Sequence, residues 1–150
     1  MELISTDGND KRFVNLCHEL DDFLNEIIGG EKQREKYNQY NNLKDIHDVL
    51  LVIDNGQVVG CGSFKKYDKK VAEIKRVFVK KEYRKKGLAK FIMQTLEQKA
   101  MENGYSKLIL ETGNVLKDAI KLYSGIGYNV IENYGQYVDM PESICMGKLL

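Results

Sequence analysis

The sequence predicts an α+β fold: a mixed, mostly antiparallel central sheet of six to seven strands, flanked by helices, with a β-α-β crossover in its middle. Three observations carry this. Asp54-Asn55-Gly56-Gln57 divides two apolar runs rich in β-branched residues, and Asn-Gly supplies the left-handed backbone that a two-residue hairpin needs. A helix-period stretch beginning at Leu88 stands between a strand ending at Val79 and another beginning at Leu108, so these two strands are joined by a crossover and run parallel. The last apolar runs, Val130-Ile131 and residues 144–149, return the chain to antiparallel pairing. A doubly wound dinucleotide fold is excluded, because the Gly-bearing turn follows the third or fourth strand of a meander.

In chain order, residues 2–6 form a short strand with Leu3 and Ile4 as its core contact, and Asp7-Gly8-Asn9 turns the chain. Phe13, Leu16, Leu20, Phe23, Leu24 and Ile27 recur at helical spacing, so residues 10–28 form an amphipathic helix, stopped by Gly29-Gly30. Residues 31–40 read as a polar second helix or helical lid with Tyr37 and Tyr40 on one side, and residues 38–42 as a loop. Residues 49–53 are continuously apolar, the pattern of a strand buried on both faces, and residues 58–64 return from the hairpin. Residues 65–70 make a second, polar connection. Residues 71–79 form the next strand, with Glu73, Lys75, Val77 and Val79 in phase unless a bulge intervenes. The following helix buries Leu88, Ile92 and Leu96, with Phe91 and Met93 as further candidates, and stops at Asn103-Gly104. Residues 108–112 form a strand. Gly113-Asn114 opens a helix carrying Val115, Leu116, Ala119, Leu122 and Tyr123, which ends at Gly125-Ile126-Gly127-Tyr128.

With 150 residues, 43% hydrophobic and 30% charged, the chain reads as one domain, residues 1–150, with a core of its own. It has no apolar run of transmembrane length and no signal-peptide pattern at Met1-Glu2-Leu3-Ile4-Ser5, so a membrane is not an expected partner. Cys17, Cys61 and Cys145 are odd in number and far apart, which points to reduced thiols in the cytoplasm. With no Cys-x-x-Cys, and with His18 and His47 off ligand spacing, no metal is expected.

The net charge of +1 conceals an asymmetry. Residues 65–90 hold twelve basic and three acidic side chains, and the remainder is net negative. Within this stripe Arg84-Lys85-Lys86-Gly87 links a strand to a helix. Such a turn is suited to phosphates: the helix N-terminus carries unpaired N–H groups and partial positive charge, Gly87 lets a ligand approach closely, and arginine offers a phosphate two donors.

Arg84-Lys85-Lys86-Gly87-Leu88-Ala89 resembles the Arg/Gln-x-x-Gly-x-Gly/Ala signature of the GNAT superfamily, the acyl-CoA-dependent N-acetyltransferases. The strand end Arg76-Val77-Phe78-Val79 is similar to that family, as is the segment from Ala119 through Leu122-Tyr123 to Gly127-Tyr128, and the element order agrees over nearly the whole chain. Leu110-Glu111-Thr112-Gly113, Tyr134-Gly135-Gln136-Tyr137 and Ser143-Ile144-Cys145-Met146 resemble a bacterial subset of small single-domain members. The one departure is Ala89, where many members have glycine.

The resemblance implies acetyl-CoA as co-substrate and an amine, on a small molecule or a peptide, as acceptor. It places the CoA pyrophosphate on the backbone N–H groups of Arg84, Lys85, Lys86, Gly87, Leu88 and Ala89. The pantetheine arm then pairs with the strand end at Val77, Phe78 and Val79, and an N–H near Val77 polarises the acetyl carbonyl. Tyr123 matches the family tyrosine that protonates the leaving thiolate; a phenol of pKa ~10 facing a thiol of ~8.5 stays protonated at neutral pH. A core tyrosine at helical spacing is the plain alternative. Something must take the proton of an ammonium of pKa ~10.4. Glu73 is the candidate base, with a surface ion pair to Lys75 or a cross-strand lysine as its plain reading; Glu111, at a strand end, is the rival base, and either carboxylate could instead hold the substrate ammonium. Asn114 either caps the following helix or bonds the pantetheine arm. Apart from the resemblance, Tyr134 and Tyr137, with Tyr37 and Tyr40, are candidates for lining an acceptor pocket, with ordinary exposed tyrosines as the plain reading. His47 is a remote alternative base, and Cys145 reads as a buried inert thiol.

The expected activity is therefore acetyl transfer from acetyl-CoA to a primary amine by direct attack in a ternary complex, by a chain that acts alone or as a homodimer. A non-catalytic acyl-CoA sensor of the same fold is the alternative. Nucleic-acid binding ranks last, since the basic stripe has few interleaved aromatics, Tyr67, Phe78 and Tyr83.

Overall fold

Strand β1 (Glu2–Thr6) lies antiparallel to β2 (Asp48–Asp54), with Glu2 opposite Ile53 and Thr6 opposite Val49. This is a computed structural model that describes residues 1–28 and 42–150. The expected helix or lid over residues 31–40, with Tyr37 and Tyr40, lies outside the described residues. Strands β3 (Gln57–Lys66), β4 (Val71–Val79), β5 (Lys107–Gly113), β6 (Asn129–Ile131) and β7 (Ser143–Leu149) complete a seven-stranded sheet ordered β1-β2-β3-β4-β5-β7-β6. Only β4 and β5 run parallel among the pairings described, with Val71, Ala72 and Glu73 opposite Lys107, Leu108 and Ile109. The helices among the described residues are α1 (Lys11–Ile28), α2 (Leu88–Glu102) and α3 (Lys117–Gly125). The mixed, mostly antiparallel sheet with a central crossover is as the sequence predicts.

The residues gather into two compact units, Met1–Lys65 with Lys75–Leu96, and Lys66–Ile74 with Glu97–Leu150. In the first, the Asn55-Gly56 hairpin forms with both residues left-handed, φ +50° and +78°, pairing Asp54 with Gln57. Helix α1 buries Phe13, Leu16, Cys17 and Leu20 in a cluster with Ile46, Val49, Leu51, Cys61 and Phe78. Ile27 is exposed, so the apolar stripe ends a turn earlier than its spacing suggests. Gly62 lets α2 lie close on β3: a Cβ there would stand 2.5 Å from Ile92 Cγ2 and 2.9 Å from Leu96 Cδ1. Ile92, Met93 and Leu96 are buried as expected, whereas Phe91 is 48% exposed. Its position, one residue before Ile92, falls off the buried stripe.

The phase expected along β4 is broken. Arg76 sits at φ +56° inside the strand, so side chains on either side of it do not share one alternation. The unusual backbone is held by its neighbours: Ser63 Oγ donates to the Lys75 carbonyl and Cys61 Sγ to the Arg76 carbonyl. The Arg76 guanidinium pairs with Asp21 of α1 at 2.6 Å.

In the second unit β7 lies between β5 and β6, so that Cys145 stands opposite both Glu111 and Ile131. Helix α3 starts later than expected. Its N-cap is Leu116, with no side-chain capping bond, which removes the capping role of Asn114; the Asn114 N–H instead donates to the Glu142 carbonyl. Val115 precedes the helix and is exposed. Glu97 of α2, 8% exposed, accepts from Tyr128 Oη at 2.9 Å and from Lys148 Nζ at 3.0 Å. Lys148 also donates to the Ile126 carbonyl at 2.8 Å, so one buried carboxylate ties α2, the end of α3 and β7 together. Among the described residues no helix is long and apolar enough to cross a membrane.

Candidate active site

The turn after β4 begins with a single 3-10 turn, Lys81–Tyr83. Arg84 is extended, Lys85 is left-handed at φ +60°, and Gly87 is left-handed at φ +78°. Left-handed residues thus stand on either side of Lys86. The Gly87 carbonyl accepts the Phe91 N–H at 3.0 Å, so the helix starts immediately afterwards. The N–H groups of Leu88, Ala89 and Lys90 are therefore first-turn donors with no intrahelical acceptor. A Cβ on Gly87 would meet nothing within 4 Å, so the space beside Gly87 is open. Lys85 and Lys86 are exposed beside it. These features fit a diphosphate: backbone donors, a helix N-terminus and two cations on an accessible surface.

The Arg84 side chain is held by neighbouring groups of its own chain. Its Nε donates to the Val79 carbonyl at 2.8 Å, and its guanidinium lies over the rings of Phe23, at 4.6 Å, and Phe78, at 5.3 Å. The side chain is thus engaged with its own chain rather than presented whole to an anion. Phe78, Val79 and Leu88 are also buried, so what these positions offer a ligand is backbone. Val77 is half-buried. Tyr83 Oη donates to Asp54 Oδ2 at 3.1 Å, tying the turn to the β2–β3 hairpin.

The second unit collects the predicted carboxylates and tyrosines. Glu73 is 4% exposed and accepts a 2.7 Å hydrogen bond from Tyr134 Oη, which overturns the reading of Glu73 as half of a surface ion pair. The Tyr134 ring meets Tyr67 edge-on at 5.2 Å and Tyr137 at 5.6 Å. Glu111 accepts from Ser143 Oγ at 2.6 Å. Since Glu73 pairs with Ile109, and Glu111 lies two residues further along β5, both carboxylates project from one face of the sheet. Cys145, opposite Glu111, shares that face. Burial, and then Glu73, pushes the Tyr134 phenol upward, and burial, then Glu111 and Glu73, does the same to Tyr137, so both stay protonated. Burial raises the Cys145 thiol as well, which keeps it a thiol and fits the inert reading. Asn133 Nδ2 donates to the carbonyls of Tyr137 and Met140 and fixes the segment that carries the tyrosines.

Tyr123, on α3, is 9% exposed, and burial pushes its phenol up to about 12. Its ring packs edge-on against Tyr128 at 6.0 Å. His18 and His47 are exposed, and Asn114 is exposed at the end of β5. Sequence reasoning missed Tyr67, Asn133 and Ser143 as members of the acid–tyrosine cluster. Ser143 alone had a readable signal: it is two residues from Cys145, the diagonal neighbour of Glu111 once β5 pairs with β7.

The model of the acetyltransferase (GNAT) family matches residues 14–128. The chain belongs to the GNAT family. Among its curated relatives, the IAA acetyltransferase of Azospirillum brasilense is 31% identical over 145 residues, 91% of this chain and 90% of that protein. The uncharacterized N-acetyltransferase YsnE of Bacillus subtilis is 33% identical over 99 residues, 65% of this chain and 66% of that one. A solved GNAT-fold neighbour, classed as an acyl-CoA N-acyltransferase of Klebsiella pneumoniae, superposes with a TM-score of 0.81 at 26% identity, covering 99% and 97% of the two chains. The PaiA N-acetyltransferase of Thermoplasma acidophilum, solved with coenzyme A, shares the fold at a TM-score of 0.76 and 20% identity over 99% of this chain and 98% of that one. As a GNAT member the chain is an N-acetyltransferase that draws on acetyl-CoA.

Proposed function

We propose that the chain, as one domain over residues 1–150, acetylates a primary amine by direct attack in a ternary complex with acetyl-CoA. The observation that carries this is the turn from Arg84 to Ala89, with left-handed Lys85 and Gly87 aiming backbone donors at an open surface. In this reading the turn holds the CoA diphosphate through the N–H groups of Lys85, Lys86, Gly87, Leu88 and Ala89, with Arg84 supporting them. The pantetheine arm extends along the β4 edge at Val77, Phe78 and Val79, and Asn114 bonds that arm. Among the backbone groups of β4, the Val77 N–H polarises the acetyl carbonyl, where negative charge develops during attack.

Glu73 takes the proton of the substrate ammonium, directly or through water, and Tyr134 holds the carboxylate in place through its 2.7 Å bond. The amine nitrogen then bonds to the acetyl carbon as the carbon–sulfur bond breaks. Tyr123 donates its proton to the departing sulfur, a role that its raised pKa supports, since the donor form persists throughout neutral pH. Glu111 and Tyr137 line the acceptor side with Tyr134, and carboxylates beside aromatic rings favour a cationic acceptor. Three buried free thiols agree with work in the cytoplasm, as a monomer or homodimer.

The test is a steady-state assay of CoA release with acetyl-CoA and a panel of small amines and amino-terminal or lysyl peptides. Turnover with at least one acceptor class is the expected result. Tight acetyl-CoA binding by calorimetry with no acetylation across the panel would replace this reading with a non-catalytic sensor.

A further inference from the structure

We propose that Phe23 of α1 is a positioning residue for the donor turn, acting through Arg84. It rests on the reading that residues 84–89 hold the diphosphate of acetyl-CoA. Arg84 opens the turn, and its side chain folds back to make three attachments among the described residues. Nε bonds the Val79 carbonyl at 2.8 Å, at the end of β4. The guanidinium carbon lies 5.3 Å from the centroid of the Phe78 ring, on the same strand. It lies closer still, 4.6 Å, to the ring of Phe23. The two rings are themselves 6.2 Å apart and tilted by 50°, so they form two walls around one cation. Of the three attachments, only Phe23 comes from a separate element.

The turn needs such an anchor. Lys85 is a non-glycine residue at φ +60°, a backbone state that carries strain, and it directly follows Arg84. Backbone N–H groups stabilise an anion best when they are already aimed, because any reorientation on binding subtracts from affinity. A guanidinium fixed at both its Nε and its face restrains the backbone from which it grows. The attraction requires a ring: a π face draws the cation, and an aliphatic side chain of equal size fills the space without drawing it. Phe23 belongs to no phosphate-binding motif and stands far from the turn in sequence, so only the fold discloses the link.

The experiment compares two donors, acetyl-CoA and S-acetylpantetheine, which lacks the diphosphate. Phe23→Leu should raise KM for acetyl-CoA roughly fivefold, the size of one cation–π contact, and leave kcat at saturation within about twofold. kcat/KM with S-acetylpantetheine should be unchanged. Phe23→Tyr, which keeps the ring, should behave as the parent protein. In an Arg84→Gln background Phe23→Leu should have no further effect on KM. Should the leucine variant fail to fold, Phe23→Met is measured in its place. An equal effect on both donors, no effect on either, or full additivity with Arg84→Gln would overturn the proposal and leave Phe23 a core residue. Gly87→Ala and Lys86→Ala probe the underlying reading separately. If neither changes the preference for acetyl-CoA over S-acetylpantetheine, the diphosphate assignment itself falls.

Discussion

In the proposed mechanism the donor turn and the acid–tyrosine cluster meet two chemical needs with different parts of the polypeptide. From Lys85 to Ala89 the turn works through backbone: two left-handed residues, the first N–H groups of α2 and an open space where Gly87 has no side chain. The side chain of Arg84, which precedes it, is turned back on its own chain. The cluster works through side chains. Glu73, Glu111, Tyr134 and Tyr137 come from two strands and a loop, and hydroxyls from Tyr134 and Ser143 hold the carboxylates. Backbone recognition suits a diphosphate, which is the same in every acyl-CoA. Side-chain recognition suits an acceptor, which differs from enzyme to enzyme. The comparison predicts that substitutions in the turn shift donor affinity, whereas substitutions in the chemistry-bearing side chains shift turnover.

The largest break should come from Tyr123→Phe. Loss of a general acid lowers kcat by about 100-fold, and KM for acetyl-CoA should change little. Because burial holds the Tyr123 phenol up to about 12, the parent enzyme should show no loss of kcat from this group below about pH 11. The same shift has a sign for stability. The folded state keeps the proton that the unfolded chain releases near the ordinary phenol value of 10, so stability present below pH 10 is lost as pH rises toward 12. Tyr123→Phe should remove that part of the alkaline loss in a melting series. Unaltered turnover would return Tyr123 to a packing role beside Tyr128.

Glu73→Gln should follow, with a fall in kcat/KM for the amine of roughly 30-fold at neutral pH, less than the ~100-fold of a positioned acid or base because water takes up part of the proton transfer. Raising the pH should restore part of this, because the amine then arrives already deprotonated. Tyr134→Phe, which removes the phenol that holds Glu73, should give a smaller fall in the same parameter. If Glu111→Gln proves the more damaging, the base is the strand-end carboxylate and Glu73 is its support.

The same contrast explains what could be read in the sequence. The turn was legible because its parts are contiguous: a strand end, three cations, a glycine and a helix start lie within a few residues. The hairpin at Asn55-Gly56 and the crossover from Val79 to Leu108 were legible for the same reason. The cluster was legible only as a set of candidates. That Tyr134 bonds Glu73 depends on the loop after β6, which Asn133 pins to Tyr137 and Met140. That Ser143 bonds Glu111 depends on the register of β5 with β7. The break in phase at Arg76 had no local sign, since arginine is an unusual residue for φ +56°, and the hydroxyl and thiol that hold it come from β3. The fold of Arg84 onto Phe23 was hidden because a cation beside a phosphate-binding motif reads most simply as a phosphate ligand.

Within the turn, Gly87→Ala should raise KM for acetyl-CoA roughly fivefold, since a Cβ at φ +78° is strained by about 1 kcal/mol and the alanine variant shifts the backbone donors to relieve it. Turnover at saturating donor should stay near that of the parent, which is the pattern that separates the turn from the cluster. A fall in kcat with constant KM would contradict the division drawn here.

The smallest expected effect lies at the outer support of the turn. Tyr83 Oη donates to Asp54 Oδ2 at 3.1 Å, while Lys86 Nζ stands 5.8 Å from the centroid of the Tyr83 ring. Tyr83→Phe removes the hydrogen bond and keeps the ring, so the turn loses one of its ties and none of its N–H groups. KM for acetyl-CoA should rise by about twofold, within the range of a single half-exposed hydrogen bond, and kcat should not move. Asp54→Asn, which retains an acceptor, should have a smaller effect still. A change in KM as large as that of Gly87→Ala would mean that the hairpin at Asn55-Gly56 governs the shape of the turn as strongly as the glycine does. The turn would then be a property of the β2–β3 hairpin and α2 together, rather than of the six residues whose sequence announces it.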